Sequence, residues 1–213
     1  MIRLENICFS YEESEALKDI SLHIEKGQTV ILEGPNGCGK STLLKIMNGL
    51  IFPSKGKYYF EGEEITHKKM QNNVFAKKFH QKLGFVFQNS DVQLFCGNVE
   101  DEIGFGPRQM GLTEEEVHKR VEDCLDLLDI QKLRKRPPYH LSGGEKKKVA
   151  IACILSMNPE VLILDEPLNG LDRESRKWLL DFLKQLKSSG KTMIIATHDE
   201  ELKQELKDVV FTM

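Results

Sequence analysis

The sequence predicts an α/β fold in a single domain of 213 residues. It is expected to have a mostly parallel sheet at its core, an N-terminal antiparallel β subdomain and an inserted α-helical subdomain at about residues 89–158. Three observations predict it. Thr29-Val30-Ile31-Leu32 is a short apolar, β-branched run, followed by a glycine-rich loop and then by Leu43 to Asn48, a helical stretch stopped by Gly49. Val161 to Leu164 and Thr192 to Ala196 are apolar runs of strand length, the pattern of strands buried on both faces in a parallel sheet. Between Asn89 and Asn158 turn residues give way to apolar stripes at helical spacing.

Taken in order, residues 1 to 30 alternate as strands do, through Ile2, Leu4 and Ile7 to Phe9, then Ile20, Leu22 and Ile24, with a turn at Lys26-Gly27. Tyr11 lies near the end of the first of these, before an acidic turn at Glu12-Glu13. Lys57 to Gly62 reads as an aromatic strand, and Leu83 to Phe87 as another, ending at Gln88. The basic stretch Ile65 to Lys82 is weakly patterned and predicts no element. Thr113 with Glu116 makes a capping box, and Val117, Val121, Cys124, Leu125 and Leu128 follow as a core stripe. Pro137-Pro138 breaks the chain before a second capping box, Ser142 with Glu145, opens a helix through Ile154. A helix from Arg173 to Leu186 turns Trp178, Leu179, Phe182 and Leu183 to one side, and Asp208 to Thr212 forms a last strand.

Bulk properties exclude several functions. A formal charge of -3 lacks the basic excess of a nucleic-acid-binding domain, so no nucleic-acid partner is expected. The runs Lys146-Lys147-Lys148 and Arg134-Lys135-Arg136 read as solvated faces. The longest apolar run, Val149 to Leu155, is seven residues, against roughly 18 for a membrane span. The first residues lack the pattern of a secretory leader. Five cysteines without a Cys-x-x-Cys pair suit a reducing cytoplasm and argue against a disulfide framework or a zinc site.

The loop Gly34-Pro35-Asn36-Gly37-Cys38-Gly39-Lys40-Ser41-Thr42 fits Gly-x4-Gly-Lys-Ser/Thr, the phosphate-binding loop of a P-loop NTPase core. Its glycines let successive amide N–H groups converge on phosphate oxygens, and the following helix adds the positive end of its dipole. Lys40 is placed to reach the β- and γ-phosphates and Ser41 to bind Mg2+. The strand at Val161 delivers Asp165 and Glu166 at its carboxyl end, the edge where ligands bind in open α/β sheets. Adjacent carboxylates there need a counter-charge, which Mg2+ with ATP supplies. His198-Asp199 ends the next strand on that same edge.

Leu141-Ser142-Gly143-Gly144-Glu145 lies between the phosphate loop and the acid-bearing strand. With those two motifs in that order, the chain resembles an ATP-binding-cassette (ABC) ATPase over essentially its whole length. The resemblance implies ATP and Mg2+ as cofactors and a role for each matching position. Tyr11 resembles the aromatic that stacks on adenine, Gly34 to Thr42 the Walker A loop, and Gln88 the glutamine that senses Mg2+ near the membrane partner. Asp165 is similar to the acid that holds Mg2+ through water, Glu166 to the general base and His198 to the switch histidine at the γ-phosphate. Asn169-Gly170-Leu171-Asp172 corresponds to the D-loop. Three departures stand out: Lys148 where arginine is usual, Leu168 where threonine or serine is usual, and no C-terminal extension of the kind that many ATPases of the resembled subfamily carry beyond the last core strand.

A helix N-terminus with two glycines at Ser142 is a second anion site, and one γ-phosphate cannot occupy two distant sites in one chain. That suggests a second ABC ATPase subunit, identical or not. In the family two subunits sandwich two ATPs head to tail. Asn89 to Phe95, Val99 to Ile103 and Phe105-Gly106-Pro107 resemble the ATPases of energy-coupling-factor importers of cobalt, nickel or vitamins. Integral membrane transporter subunits are then the partners, and the cytoplasmic face of the membrane is the location. Soluble ABC ATPases usually carry two cassettes or a coiled-coil insertion, neither found here. A non-hydrolysing nucleotide switch is disfavoured because Glu166 and His198 are both present. Cys38, a thiol in an amide-rich electropositive loop, is expected to be reactive.

Overall fold

The computed structural model describes residues 1–12 and 14–213; Glu13, half of the acidic turn expected after Tyr11, lies outside the described residues. In chain order the elements are β1 (Ile2–Tyr11), β2 (Ser14–Ile24), β3 (Thr29–Glu33), α1 (Lys40–Met47), β4 (Lys55–Phe60), β5 (Glu63–Glu64), α2 (His67–Met70) and α3 (Asn73–Lys82). They continue with β6 (Leu83–Val86), α4 (Val99–Gln109), α5 (Glu114–Leu127), α6 (Gly143–Leu155), β7 (Val161–Asp165), α7 (Arg173–Ser188), β8 (Thr192–Ala196), α8 (Glu200–Leu206) and β9 (Val209–Thr212).

The strands form two sheets, an antiparallel one in the order β2-β1-β4-β5 and a five-stranded one in the order β6-β7-β8-β3-β9. Every pairing in the second sheet is parallel, so the expected α/β class with a parallel core is the class observed. Its inner strands β3, β7 and β8 are apolar along most of their length because they pack on both faces, whereas the edge strand β9 leaves Val209 and Val210 exposed. Leu162, Leu164, Met193 and Ile195 join the core with α4 to α8, whereas Val161, Ile163, Ile194 and Ala196 join the core with α1 and the antiparallel sheet.

The capping residues read from sequence are in place. Thr113 caps α5 and Ser142 caps α6, each in a reciprocal capping box with the glutamate three residues on. The stretch from 65 to 82, which predicts nothing, holds α2 and α3. Its hold on the core is short: buried Phe79 packs edge-on against Phe60 and Tyr58 of β4, and partly buried Phe75 joins the same core one turn earlier, a pair too short to show as a stripe. α1 begins three residues before the apolar run that predicts it, because Gly39 at φ 101 turns the chain straight from the loop into the helix.

The lysine run is a correction. Lys147 is 2% exposed and is not a solvated residue. Lys146 pairs with Asp91 at 2.6 Å, and the Lys148 ammonium lies 4.5 Å from the centre of the Trp178 ring. Of the second basic cluster, Arg134 is half-buried and paired with Glu122, while Lys135 and Arg136 are exposed.

Gly84, buried in β6, marks where β6 meets α6. A Cβ built there would lie 2.1 Å from Ile154 Cγ2 and 3.1 Å from Pro159. Gly84→Ala is expected to lower the free energy of unfolding by about 1–3 kcal/mol through overpacking, read from the midpoint of urea unfolding. An unchanged midpoint would show that α6 yields freely against the sheet.

Candidate functional site

The parallel order brings four strand ends to one edge of the sheet: β3 into the glycine loop, β6 into Gln88, β7 into Asp165 and Glu166, and β8 into His198. There they line a cavity of about 510 Å³ with Tyr11, Asn36, Gly37, Gly39, Lys40, Ser41 and Thr42. Ser14, Glu15, Ala16 and Asn169 complete its wall.

Inside the loop Lys40 is 7% exposed, and its ammonium donates to the carbonyls of Gly34 at 2.7 Å and Pro35 at 3.1 Å. Cys38 Sγ lies 4.0 Å from the same nitrogen, and Gly34, Pro35 and Cys38 do not line the cavity. Gly39 takes a left-handed φ of 101°, and a Cβ there would meet the Ala16 carbonyl oxygen at 2.4 Å. The loop therefore presses against the start of β2, which only glycine permits. Tyr11 is 45% exposed at the cavity mouth, its ring edge-on to Phe9 at 4.8 Å and its hydroxyl 3.5 Å from Thr42 Oγ1.

Asp165 is 8% exposed, and its Oδ1 is buried without a partner among the described residues. Burial pushes its carboxyl above the usual range, while a hydrogen bond from Ser41 acts against that shift. A buried carboxylate oxygen without a donor, beside a hydroxyl and with Gln88 lining the same cavity, is an all-oxygen donor set. It fits a hard divalent cation such as Mg2+.

Glu166 follows at φ 42°, a left-handed conformation held by its own N–H donating to the Ala196 carbonyl at 2.9 Å. Strain of this kind persists where the surroundings over-determine it. It sets Glu166 Oε2 3.0 Å from His198 Nδ1, pairing a nearly buried carboxylate with an exposed imidazole that opens on the cavity.

Ser142, Gly143, Gly144 and Glu145 lie elsewhere. Ser142 and Gly143 are exposed at the start of α6, and the Glu145 carboxylate accepts from the Ser142 N–H at 2.7 Å. Asp172 is also outside the cavity. It caps α7, its Oδ1 accepting from the N–H groups of Glu174 at 3.0 Å and Ser175 at 2.9 Å, which hold its carboxyl below the usual range. A Cβ on Gly144 would sit 2.1 Å from Ser175 Oγ. The first turns of α6 and α7 thus touch at a glycine.

Two groups escape a reading of the sequence. Ser14 to Ala16 reach the site only through tertiary contact and leave no local signal. Lys147 does leave one: with Ala150, Ile151 and Ile154 it completes an i, i+3, i+4, i+7 stripe. Its ammonium donates to the carbonyls of Phe87 and Gln88, each at 3.0 Å, and burial pushes its pKa down to about 8.

The chain is similar in sequence and fold to known proteins. A family profile described as ABC transporter matches residues 17–169. The chain is 49% identical over 199 residues to the nickel import ATP-binding protein LarO of Lactiplantibacillus plantarum, covering 93% of this chain and 83% of that protein. It is 41% identical over 214 residues to the energy-coupling factor transporter ATP-binding protein EcfA of Methanothermobacter thermautotrophicus, covering 100% of this chain and 68% of that protein. An ATP-binding cassette solved as a dimer in a post-hydrolysis state, bound to ADP and Pi, superposes with a TM-score of 0.89 at 28% identity, covering 100% of this chain and 94% of that one. A phosphate loop, paired acids and a histidine on one parallel sheet edge, together with these matches, place the chain in the ABC transporter family, as an ATPase coupled to transport.

Proposed function

We propose that this chain is the ATP-hydrolysing subunit of an importer of the energy-coupling-factor type, taking up a metal ion or vitamin, and that it works as a head-to-tail dimer around two Mg-ATP. One observation carries the reading: the strand-end cavity holds Lys40, Ser41, Asp165, Glu166 and His198, while the capped, exposed start of α6 lies outside it. A site so divided is completed by the α6 N-terminus of a second subunit, where free N–H groups face a phosphate. The dimeric, nucleotide-bound cassette of similar fold supports that arrangement.

Within the cavity the loop amides and Lys40 bind and orient the phosphates, and Tyr11 offers its exposed ring to the base. Ser41, Gln88 and Asp165 would hold Mg2+, which when bound neutralises charge on the phosphate oxygens. Glu166 accepts the proton of the attacking water, and His198, 3.0 Å from its carboxylate, orients it toward the γ-phosphate.

A second feature supports a membrane partner. An apolar groove of about 560 Å³ lies between the sheet and the helices, lined by Phe85, Phe87, Phe95, Phe105, Met110 and Met157. Phe95 is 67% exposed and stacks edge-on with Phe105 at 4.9 Å. The buried Glu102 carboxylate fixes this wall by accepting from the N–H groups of Phe95 at 2.8 Å and Cys96 at 2.5 Å. An exposed apolar surface of this kind marks an interaction site, and here its occupant is a segment of the membrane subunits. No helix among the described residues is long and apolar enough to cross a membrane; in this reading the chain is held peripherally, on the cytoplasmic face, by those subunits. The name of LarO, a nickel import protein, supports import, and that of EcfA, an energy-coupling factor transporter protein, supports the transporter type.

Purification from membranes tests this: the tagged chain should bring down an integral membrane protein whose transport depends on its ATPase activity. Recovery of active ATPase with no membrane protein would point to a soluble factor instead.

Cys38 offers a local check. Its sulfur lies 4.0 Å from the Lys40 ammonium, so alkylation is expected to disturb Lys40 and abolish ATP hydrolysis, and ATP, by engaging that same ammonium, to protect the thiol. Full activity after stoichiometric labelling of Cys38 would dismiss this.

A further inference from the structure

Beyond the end of β6 the chain loses its ladder partners, and the segment Phe87 to Gln93 is held instead by α6. The Phe87 N–H donates to Gln93 Oε1 at 3.2 Å, and Gln93 Nε2 donates in turn to the Ala150 carbonyl of α6 at 3.3 Å. The half-buried Lys146 pairs with the exposed Asp91. The innermost tie is Lys147, which reaches from the second turn of α6 to the two successive carbonyls of Phe87 and Gln88.

That arrangement is costly unless it does something. A cation almost completely removed from water is normally retained in contact with a carboxylate, yet both hydrogen-bond partners of Lys147 are neutral carbonyls. Asp165 acts on it only through space. A methionine of similar length would occupy this buried position without the desolvation. What the ammonium adds is a pair of charge-assisted hydrogen bonds to one short stretch of backbone, the stretch that carries Gln88 into the cavity.

We propose that Lys147 is a positioning residue for Gln88. By clamping the carbonyls on either side of the Gln88 N–H, it fixes where that side chain enters the nucleotide cavity and ties its position to the helix that begins at Ser142. The inference deepens the proposed function and rests on Gln88 acting at the bound nucleotide. The chain carries the clamp on the same helix as the N-terminus that meets the second subunit, four residues beyond Gly143, so a displacement of α6 moves Gln88 with it.

Lys147→Met tests the clamp, since it keeps length and apolar bulk and removes only the donors. In the nucleotide-free protein, amide hydrogen exchange across residues 87–93 should speed up by roughly tenfold or more, with the rest of the sheet unaffected. At saturating Mg-ATP kcat should fall by roughly 10- to 100-fold, the cost of misplacing a group by about an ångström, while the Kd for ATP stays within about twofold. In a Gln88→Ala background the same substitution should cost nothing further in kcat, because both changes remove one function. Unchanged exchange at 87–93, or a kcat loss that adds in full to that of Gln88→Ala, would overturn the proposal. Should Lys147→Met fail to fold, Lys147→Gln, which keeps one donor group, replaces it in the same cycle. A Gln88→Ala variant with wild-type kcat would instead sink the functional reading of Gln88, and the exchange data alone would then judge the clamp.

Discussion

Glu166→Gln is expected to bind ATP as the wild type does and to turn it over about 10² to 10⁴ times more slowly, the range a positioned general base contributes. The substitution is nearly isosteric, so the left-handed backbone at Glu166 and its N–H bond to Ala196 remain, and the amide still meets His198. What it loses is the capacity to accept a proton. Steady-state kinetics with a parallel nucleotide-binding measurement separates the two effects: kcat should collapse while Kd stays put. Because hydrolysis is what ends the ATP-bound state, the same variant should also accumulate as a dimer at saturating Mg-ATP, visible by size-exclusion chromatography. Hydrolysis at the wild-type rate would remove Glu166 from the role of base, and a strict monomer at saturating ATP would count against the shared site.

Lys40→Ala should act on the opposite quantity. Its ammonium is nearly buried and held between two loop carbonyls, so it is already desolvated and aimed along the loop before any phosphate arrives. A charged hydrogen bond of this kind is worth about 2–3 kcal/mol, which corresponds to a Kd weakened by about 30- to 150-fold. Titration with a fluorescent ATP analogue reads this directly. Because Lys40 opens α1 and alanine is a good helix former, stability should change little, and the urea midpoint serves as the control. A Kd within threefold of the wild type would mean that the loop amides alone hold the nucleotide.

Much of the site is legible in the sequence because its parts are local. Four specified positions between a strand and a helix describe the phosphate loop, and the apolar runs ending in Asp165-Glu166 and in His198 name the strands that carry the acids and the histidine. The capping boxes at Thr113 and Ser142 are legible for the same reason, since a cap is made within four residues. Lys147 misleads because a run of three lysines looks solvated as a composition, although its place on the apolar stripe of α6 points inward. α3 leaves little trace because it is held by only Phe79 and, one turn before it, partly buried Phe75, a face too short to stand out among the lysines around it.

The sequence by itself determined which groups are on offer, a glycine loop with its lysine and serine, two adjacent acids and a histidine, and on which elements they ride. Only the tertiary structure decided which of them meet. The strand order β6-β7-β8-β3-β9 sets Gln88, Glu166, His198 and the glycine loop on one edge; the packing of the antiparallel sheet brings Ala16 against Gly39 and Ser14 to the cavity wall; and long-range contact sets the first turn of α7 beside Gly144 and leaves Ser142 outside the cavity. The physical reason is range. Turns, caps and amphipathic stripes are encoded within a few residues, whereas strand order and the approach of distant segments depend on how the two faces of the parallel sheet are buried at once.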